Sequence, residues 1–118
     1  MYICIMYSKS LIKGTLQPIV LQLLKNNTRM YGYEITQRVM ELTDGKIEIT
    51  EGALYPTLHK LEAEGTLSTE KEFIGKRVRK YYTLTNSGNA IATTKINEVI
   101  DFMSTVALVL KKSKSPAL

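Results

Sequence analysis

The first apolar stripe of the chain predicts a helix from about Thr15 to Lys25. Its apolar residues recur at i, i+3, i+4, i+7 and i+8, and they are Leu16, Ile19, Val20, Leu23 and Leu24. Thr15 is a suitable N-cap, and Pro18 would then lie in the first turn, where its missing N–H costs little. A second stripe after Tyr31 predicts a second helix, which ends at the turn residues Thr43–Gly45.

A third helix is predicted between Glu51 and Gly65, with two different faces. Thr50 can cap its start, and Gly65 can end it. The apolar face predicted to be buried consists of Leu54, Leu58 and Leu61. The opposite face carries Gly52, Tyr55, Pro56, His59 and Lys60. Because Pro56 lacks an N–H, it removes the backbone bond to the Gly52 carbonyl and bends the first turn.

Two segments rich in β-forming residues follow, at Leu67–Phe73 and Arg77–Leu84, joined by a glycine-containing link of hairpin length. Alternation in the second segment predicts that Val78, Tyr82 and Leu84 face inward. Its outward residues are then Arg77, Arg79 and Tyr81.

Thr85 is predicted to cap a long last helix whose apolar residues recur at spacings of four and three. These residues are Ala92, Ile96, Val99, Met103, Val106 and Leu110. The alternation is typical of the a/d seam of a short coiled coil and predicts dimerisation through this helix.

The order of three helices, a hairpin and a long helix predicts an α+β, mostly α fold: a winged helix-turn-helix with an added C-terminal dimerisation helix. The predicted boundaries are 1–14 for an N-terminal segment, 15–84 for the DNA-binding domain, 85–112 for the dimerisation helix and 113–118 for a basic tail.

The charge distribution points to a polyanion as partner. Lysine and arginine exceed aspartate and glutamate by 16 to 11, and five of the cations lie within ten residues of the hairpin: Lys71, Lys76, Arg77, Arg79 and Lys80. In a helix-turn-helix protein the later helix enters the major groove, and a basic hairpin beside it follows the DNA backbone. Two simpler readings remain: Tyr55 and His59 stack on each other or on the wing, and the lysines only block strand-edge pairing.

The sequence lacks the residues that enzymes, metal-binding proteins and membrane proteins need. The chain has one cysteine and one histidine, Cys4 and His59, far apart and without a paired carboxylate, so neither an enzyme nor a cofactor is expected. Glu98 and Asp101 are read as a solvated helix face rather than as metal ligands. The apolar start, residues 1–7, is too short to span a bilayer, and a cytoplasmic location is expected.

Three motifs together resemble the PadR family of bacterial transcriptional regulators. They are YGYEI at Tyr31–Ile35, EGALYPTLHKLEAEG at Glu51–Gly65 and RKYYTLTNSG at Arg79–Gly88, and the resemblance covers about residues 11 to 110. It implies a homodimeric winged-helix repressor that binds a palindromic operator and loosens when a small-molecule effector is sensed. Its single C-terminal helix is similar to that of the small subgroup. The chain lacks tryptophan, so the resemblance does not extend to the drug-stacking site of one branch.

The resemblance also implies that Tyr31, Tyr55, Pro56 and Lys60 approach DNA, and that the wing corresponds to residues 73–79. Taken together, the predicted DNA-binding residues are Tyr31, Thr50, Glu51, Gly52, Tyr55, Pro56, His59, Lys60, Lys76, Arg77 and Arg79. The rival hypothesis is a winged-helix protein-interaction module without sequence-specific DNA binding. The two differ in salt dependence, because only binding that neutralises phosphates weakens steeply with ionic strength.

Overall fold

The computed structural model describes residues 7–112. The elements in chain order are α1 (Lys9–Asn26), β1 (Met30–Tyr31), α2 (Gly32–Leu42), α3 (Glu51–Ala63), β2 (Leu67–Ile74), β3 (Arg77–Leu84) and α4 (Asn86–Lys112). This order confirms the predicted winged helix-turn-helix with an added C-terminal helix. Most of the predicted N-terminal apolar stretch, and the basic tail at 113–118, lie outside the described residues.

The predicted start of the first helix is wrong. α1 begins at Lys9, capped by Ser8, whose hydroxyl accepts a hydrogen bond from the Leu11 N–H at 3.4 Å. Thr15 therefore lies inside the helix, and Pro18 interrupts its middle rather than its first turn. The stripe continues upstream through the buried Ile12, so residues 9–14 belong to this helix and not to a separate segment.

The sheet has the order β1-β3-β2, and both pairings are antiparallel. β2 and β3 form the predicted hairpin, here called the wing, and Gly75 takes a φ of 63° at its turn. Two of the predicted orientations in β3 are wrong. Val78 is 53% exposed because the wing extends beyond the core, and Tyr81 is only 9% exposed because the Tyr31 ring and the Arg29 guanidinium pack against its ring.

The core lies between the helices and the base of the sheet. Leu54, Leu58 and Leu61 of α3 are fully buried, as predicted, and Tyr82 and Met30 contribute the sheet side. Burying each large aliphatic side chain contributes on the order of 1.5–3 kcal/mol before conformational entropy is counted. The leucines thus fix which face of α3 remains in solvent.

A compact set of hydrogen bonds joins the end of α3 to the start of α4. Thr85 caps α4, as predicted, because its hydroxyl accepts from the Gly88 N–H at 2.9 Å. The same hydroxyl donates to the Gly65 carbonyl at 2.7 Å, and the Thr85 N–H donates to the Thr66 carbonyl at 3.1 Å. Farther along α4, the Lys95 ammonium donates to Gln17 of α1 at 2.6 Å.

Candidate nucleic-acid interface

The third helix presents a polar face because its start and its apolar face are both fixed. The Thr50 hydroxyl accepts from the Ala53 N–H at 3.3 Å and caps the helix. Glu51 lies in the first turn, near the positive end of the helix dipole. The predicted contact residues opposite the leucines are exposed, and they are Gly52, Pro56, His59 and Lys60. The helix therefore offers side chains of modest charge to a partner.

Tyr55 is only half-exposed and has a packing role as well. Its ring lies against Gly32 at the start of α2, where an added Cβ would overlap the Tyr55 hydroxyl and ring. The Tyr55 and His59 ring centroids are 6.4 Å apart and tilted by 41°, so the two rings are not stacked face to face. The contact between the Tyr55 ring and Gly32 sets the distance between α3 and the start of α2.

A cleft of about 790 Å³ separates α3 from the wing. Residues from the start of α2, from α3 and from the wing line it, among them Tyr31, Tyr55, His59, Arg77 and Arg79. Five of the eleven predicted DNA-binding residues thus share one concave surface. Lys60 and Lys76 are exposed outside the cleft, on α3 and at the wing turn respectively.

The wing is tied to α3 through the face that it turns toward that helix. Glu62 of α3 accepts hydrogen bonds from Thr69 at 3.0 Å and from the Lys80 ammonium at 3.2 Å. The bond from Thr69, followed by the bond from Lys80, lowers the pKa of Glu62. Burial lowers the pKa of Lys80, but the bond to Glu62 and nearby charges outweigh it and leave that pKa raised. Lys80 is therefore engaged within the protein.

On the other face of the wing, cations and aromatic rings stack in a row. This row, here called the brace, consists of Arg29, Tyr81, Tyr31 and Arg79. The Arg29 guanidinium lies 3.9 Å from the Tyr81 ring centroid, and the Arg79 guanidinium lies 4.1 Å from that of Tyr31. The two rings meet edge to face, with centroids 5.5 Å apart. Cation–π contacts of this length stabilise by roughly 0.5–2 kcal/mol each.

Arg29 also forms ion pairs with both carboxylates of the wing. Its guanidinium nitrogens lie 3.0 Å from Glu70 and 3.0 Å from Glu72, both on β2. The hydrogen bond to Glu72, above all, raises the pKa of Arg29. Within the part of the chain that the structure describes, the wing cations left without an ion-pair or stacking partner are Lys71, Lys76 and Arg77. The wing is thus more cationic toward a partner than its glutamates suggest.

The sequence prediction missed two lysines beside the start of α3. A cleft of about 420 Å³ is lined by Thr50, Gly52 and Pro56 on one side and by Lys9 and Lys13 of α1 on the other. The lysines are one helical turn apart, a spacing visible in the sequence. They were overlooked because α1 was predicted to start after them.

The predicted dimerisation seam on α4 divides into two parts. Ala92 is fully buried in this chain's own core, and Ile96 packs against it, so Ala92 is not available to a partner. Farther along, Met103 and Leu110 are 51% and 65% exposed. Two apolar grooves run along α1 and α4: one of about 460 Å³, which α2 also lines, and one of about 490 Å³ beside Met103 and Leu110. Phe102, exposed at 64%, lines the second groove rather than a closed core.

The structure adds two observations on other site classes. Among residues 7–112, no three histidine, cysteine, aspartate or glutamate side chains come together as a metal site would require. None of the helices in that range is both long and apolar enough to cross a membrane.

Comparison with known proteins places these features in a family. A model described as the transcriptional regulator PadR-like family matches residues 20–94. A transcriptional regulator of Mycobacterium tuberculosis, Rv3488, is 37% identical over 67 residues, which are 57% of this chain and 60% of that protein.

Two solved structures extend the comparison. A transcriptional regulator from Clostridium thermocellum superposes with a TM-score of 0.74 at 28% identity, covering 92% of this chain and 99% of that chain. Bacillus subtilis PadR in complex with operator DNA superposes with a TM-score of 0.60 at 29% identity, covering 73% of this chain and 46% of that one.

Proposed function

The chain belongs to the PadR-like family of transcriptional regulators, and on that premise we propose that it is a homodimeric repressor that reads a palindromic operator through α3 and the wing. One observation carries the proposal: the exposed polar face of α3 and the cationic wing border a single cleft. The operator complex of the Bacillus subtilis relative supports a duplex as the occupant.

The division of contacts follows from the chemistry of each side chain. His59 and Lys60 of α3 face the base edges and phosphates of the major groove. Lys76 and Arg77, at the end of the wing, neutralise phosphates of the adjacent backbone. Gly52 and Thr50, beside Lys9 and Lys13, receive a further phosphate, because Gly52 has no side chain to obstruct the backbone N–H groups.

The dimer forms through the exposed part of α4 and through α1 of the partner. Val99, Met103 and Val106 recur at coiled-coil spacing along the groove of about 490 Å³. A second copy would cover apolar surface that a small domain otherwise leaves in water. Twofold symmetry of the protein then requires a palindromic site, with half-sites separated by whole turns of the duplex.

The effector response is proposed for the groove of about 460 Å³, which α2 also lines, and not for the groove that the partner covers. This groove is lined mainly by apolar side chains, which suits a small hydrophobic molecule. A molecule bound there would alter the packing of α4 and so the separation of the two α3 helices.

A regulator of chromosomal genes acts in the cytoplasm, and its family is one of transcriptional regulators, which are generally not enzymes.

The test is selection of bound duplexes from random DNA by the wild-type protein, followed by electrophoretic mobility shift. We expect a palindromic consensus and a complex of two chains per duplex. Recovery of no preferred sequence, together with equal binding of all duplexes, would favour the protein-interaction module instead. Salt distinguishes the two, because a phosphate-neutralising complex loses affinity steeply between low and moderate ionic strength.

A further inference from the structure

Arg77 and Arg79 lie two residues apart on the same face of β3, but their surroundings differ. Arg77 is exposed, with no partner among the described residues. Arg79 is half-buried, lies over the Tyr31 ring at 4.1 Å and donates to the Tyr81 hydroxyl at 3.4 Å. A phosphate would have to compete with these contacts to engage Arg79. The two arginines are therefore suited to different roles in DNA binding.

The brace connects every strand of the sheet. Arg29, in the link between α1 and β1, joins Glu70 and Glu72 of β2 to the ring of Tyr81 on β3. Tyr81 is paired across the sheet with Tyr31 of β1. The wing thus has side-chain contacts to the body of the protein on this face, in addition to the backbone hydrogen bonds of the sheet.

The brace also reaches the third helix. Tyr31 is the N-cap residue of α2, and its N–H donates to Glu34 at 3.3 Å. The next residue, Gly32, supports the Tyr55 ring of α3. A continuous set of contacts therefore runs from Arg79 through Tyr31 and Gly32 to Tyr55. Displacement of the wing would have to disturb this set.

We propose, resting on the proposed function, that Arg79 is a positioning residue: through the brace it holds the wing at a fixed angle to α3, and its charge neutralises no phosphate. Arg77 and Lys76 then make the phosphate contacts that this angle permits. A preformed angle raises affinity because less conformational freedom is lost on binding. Arg29 has the same role from the other end of the brace.

Substitution by lysine separates the two roles. A lysine keeps the charge and can replace an arginine that neutralises one phosphate. It lacks the planar guanidinium that stacks on a ring and donates in a fixed direction. Arg79→Lys should therefore behave like Arg79→Ala, whereas Arg77→Lys should behave like the wild-type protein.

The experiment measures affinity for the duplex selected by the wild-type protein at several salt concentrations, with Arg77 as the matched control. We expect Arg79→Ala and Arg79→Lys both to weaken binding by roughly 3- to 30-fold, with an unchanged slope of log K against log salt. Arg77→Ala removes one cation from each of the two wings of the proposed dimer and should reduce the magnitude of that slope by about 1.8, and the charge-conserving change Arg77→Lys should restore the wild-type slope and affinity.

The opposite pattern would overturn the proposal: wild-type affinity for Arg79→Lys together with a slope reduced by about 1.8 for Arg79→Ala. If Arg79→Ala does not fold, Arg29→Lys decides the matter, because it keeps the charge beside Glu70 and Glu72 but removes the planar group that stacks on Tyr81. The proposal expects weaker binding with an unchanged salt slope for this variant, and wild-type affinity for Arg29→Lys would overturn it. Absence of any duplex binding by the wild-type protein would instead overturn the proposed function.

Discussion

The backbone of Gly88 lies directly against the carbonyl oxygen of Thr66, so the start of α4 is pressed onto the residue that follows the third helix. A Cβ at position 88 would overlap this carbonyl, which is backbone and cannot rotate away. Thr66 is itself 99% removed from solvent, with 1% exposure. The contact fixes the direction in which α4 leaves the winged domain.

We therefore expect Gly88→Ala to destabilise the protein, by about 1–3 kcal/mol, because the two backbones must separate. Gly52→Ala is the control, since a Cβ there meets nothing within 4 Å on the exposed face of α3 and unfolding is measured without DNA. That change should leave the stability near wild type or raise it by up to about 1 kcal/mol, because alanine is the better helix former. Urea unfolding measures both, and equal midpoints for the two variants would contradict the contact.

A second glycine controls the interface rather than the whole fold. Gly32→Ala should push the Tyr55 ring away from α2, because the new methyl group would occupy the position of the ring. We expect weaker DNA binding and a loss of about 1 kcal/mol in stability. In a Tyr55→Ala background the same change should cost little, as a double-mutant cycle would show. Additive losses would mean that the two residues act independently.

The tie between α3 and the wing predicts a pH dependence. Because the folded protein lowers the pKa of Glu62, this carboxylate stabilises the fold above its unfolded pKa, about 4.3. Its contribution is lost as the pH falls through the lower, folded value. Wild-type protein should thus exceed Glu62→Gln in stability at pH 7, and the difference should shrink below about pH 4.3.

Urea midpoints measured from pH 7 to pH 3 check this. Glu64→Gln is the matched control, because Glu64 is exposed at the end of the same helix. Its difference from wild type should stay small across the range. A constant difference for Glu62→Gln would mean that its bonds to Thr69 and Lys80 do not contribute through charge.

The proposed dimer predicts a separate outcome. Met103→Lys or Val106→Lys places a charge on the apolar strip of α4 that the partner would bury, and should give monomers. Ser104→Lys, one residue away on an exposed position of the same helix, should remain dimeric. Sedimentation velocity distinguishes these species. Intact dimers for both Met103→Lys and Val106→Lys would show that the apolar strip of α4 is not part of the dimer interface.

Local signals in the sequence predicted much of the fold. Four features could be predicted from the sequence pattern because each depends on residues that are close together in the chain. They are the Thr50 cap, the leucines of α3, the glycine at the wing turn and the Thr85 cap. The start of α1 was misplaced because Gly14 and Pro18 interrupt a helix that tertiary packing nevertheless extends. Propensity is a weak guide where buried residues such as Ile12 hold the helix in place.

The parts of the site that could not be predicted depend on distant pairings. Arg29 meets Glu70 and Glu72 across more than forty residues of sequence. Tyr81 is buried because Arg29 and Tyr31, which lies on a strand of only two residues, pack against its ring. Neither signal exists along a single segment. The sequence shows that five cations lie close together in the wing. It does not show that two of them, Arg79 and Lys80, are bound to other residues of the protein.

The salt dependence of duplex binding tests the central claim most directly. We predict that Lys76→Ala/Arg77→Ala lowers the magnitude of the slope of log K against log salt by about 3.6, because the double variant removes two cations from each of the two wings of the proposed dimer. Lys111→Ala, at the far end of α4, should leave the slope unchanged. A slope equal to that of the wild-type protein in the double variant would contradict the assignment of the wing to DNA.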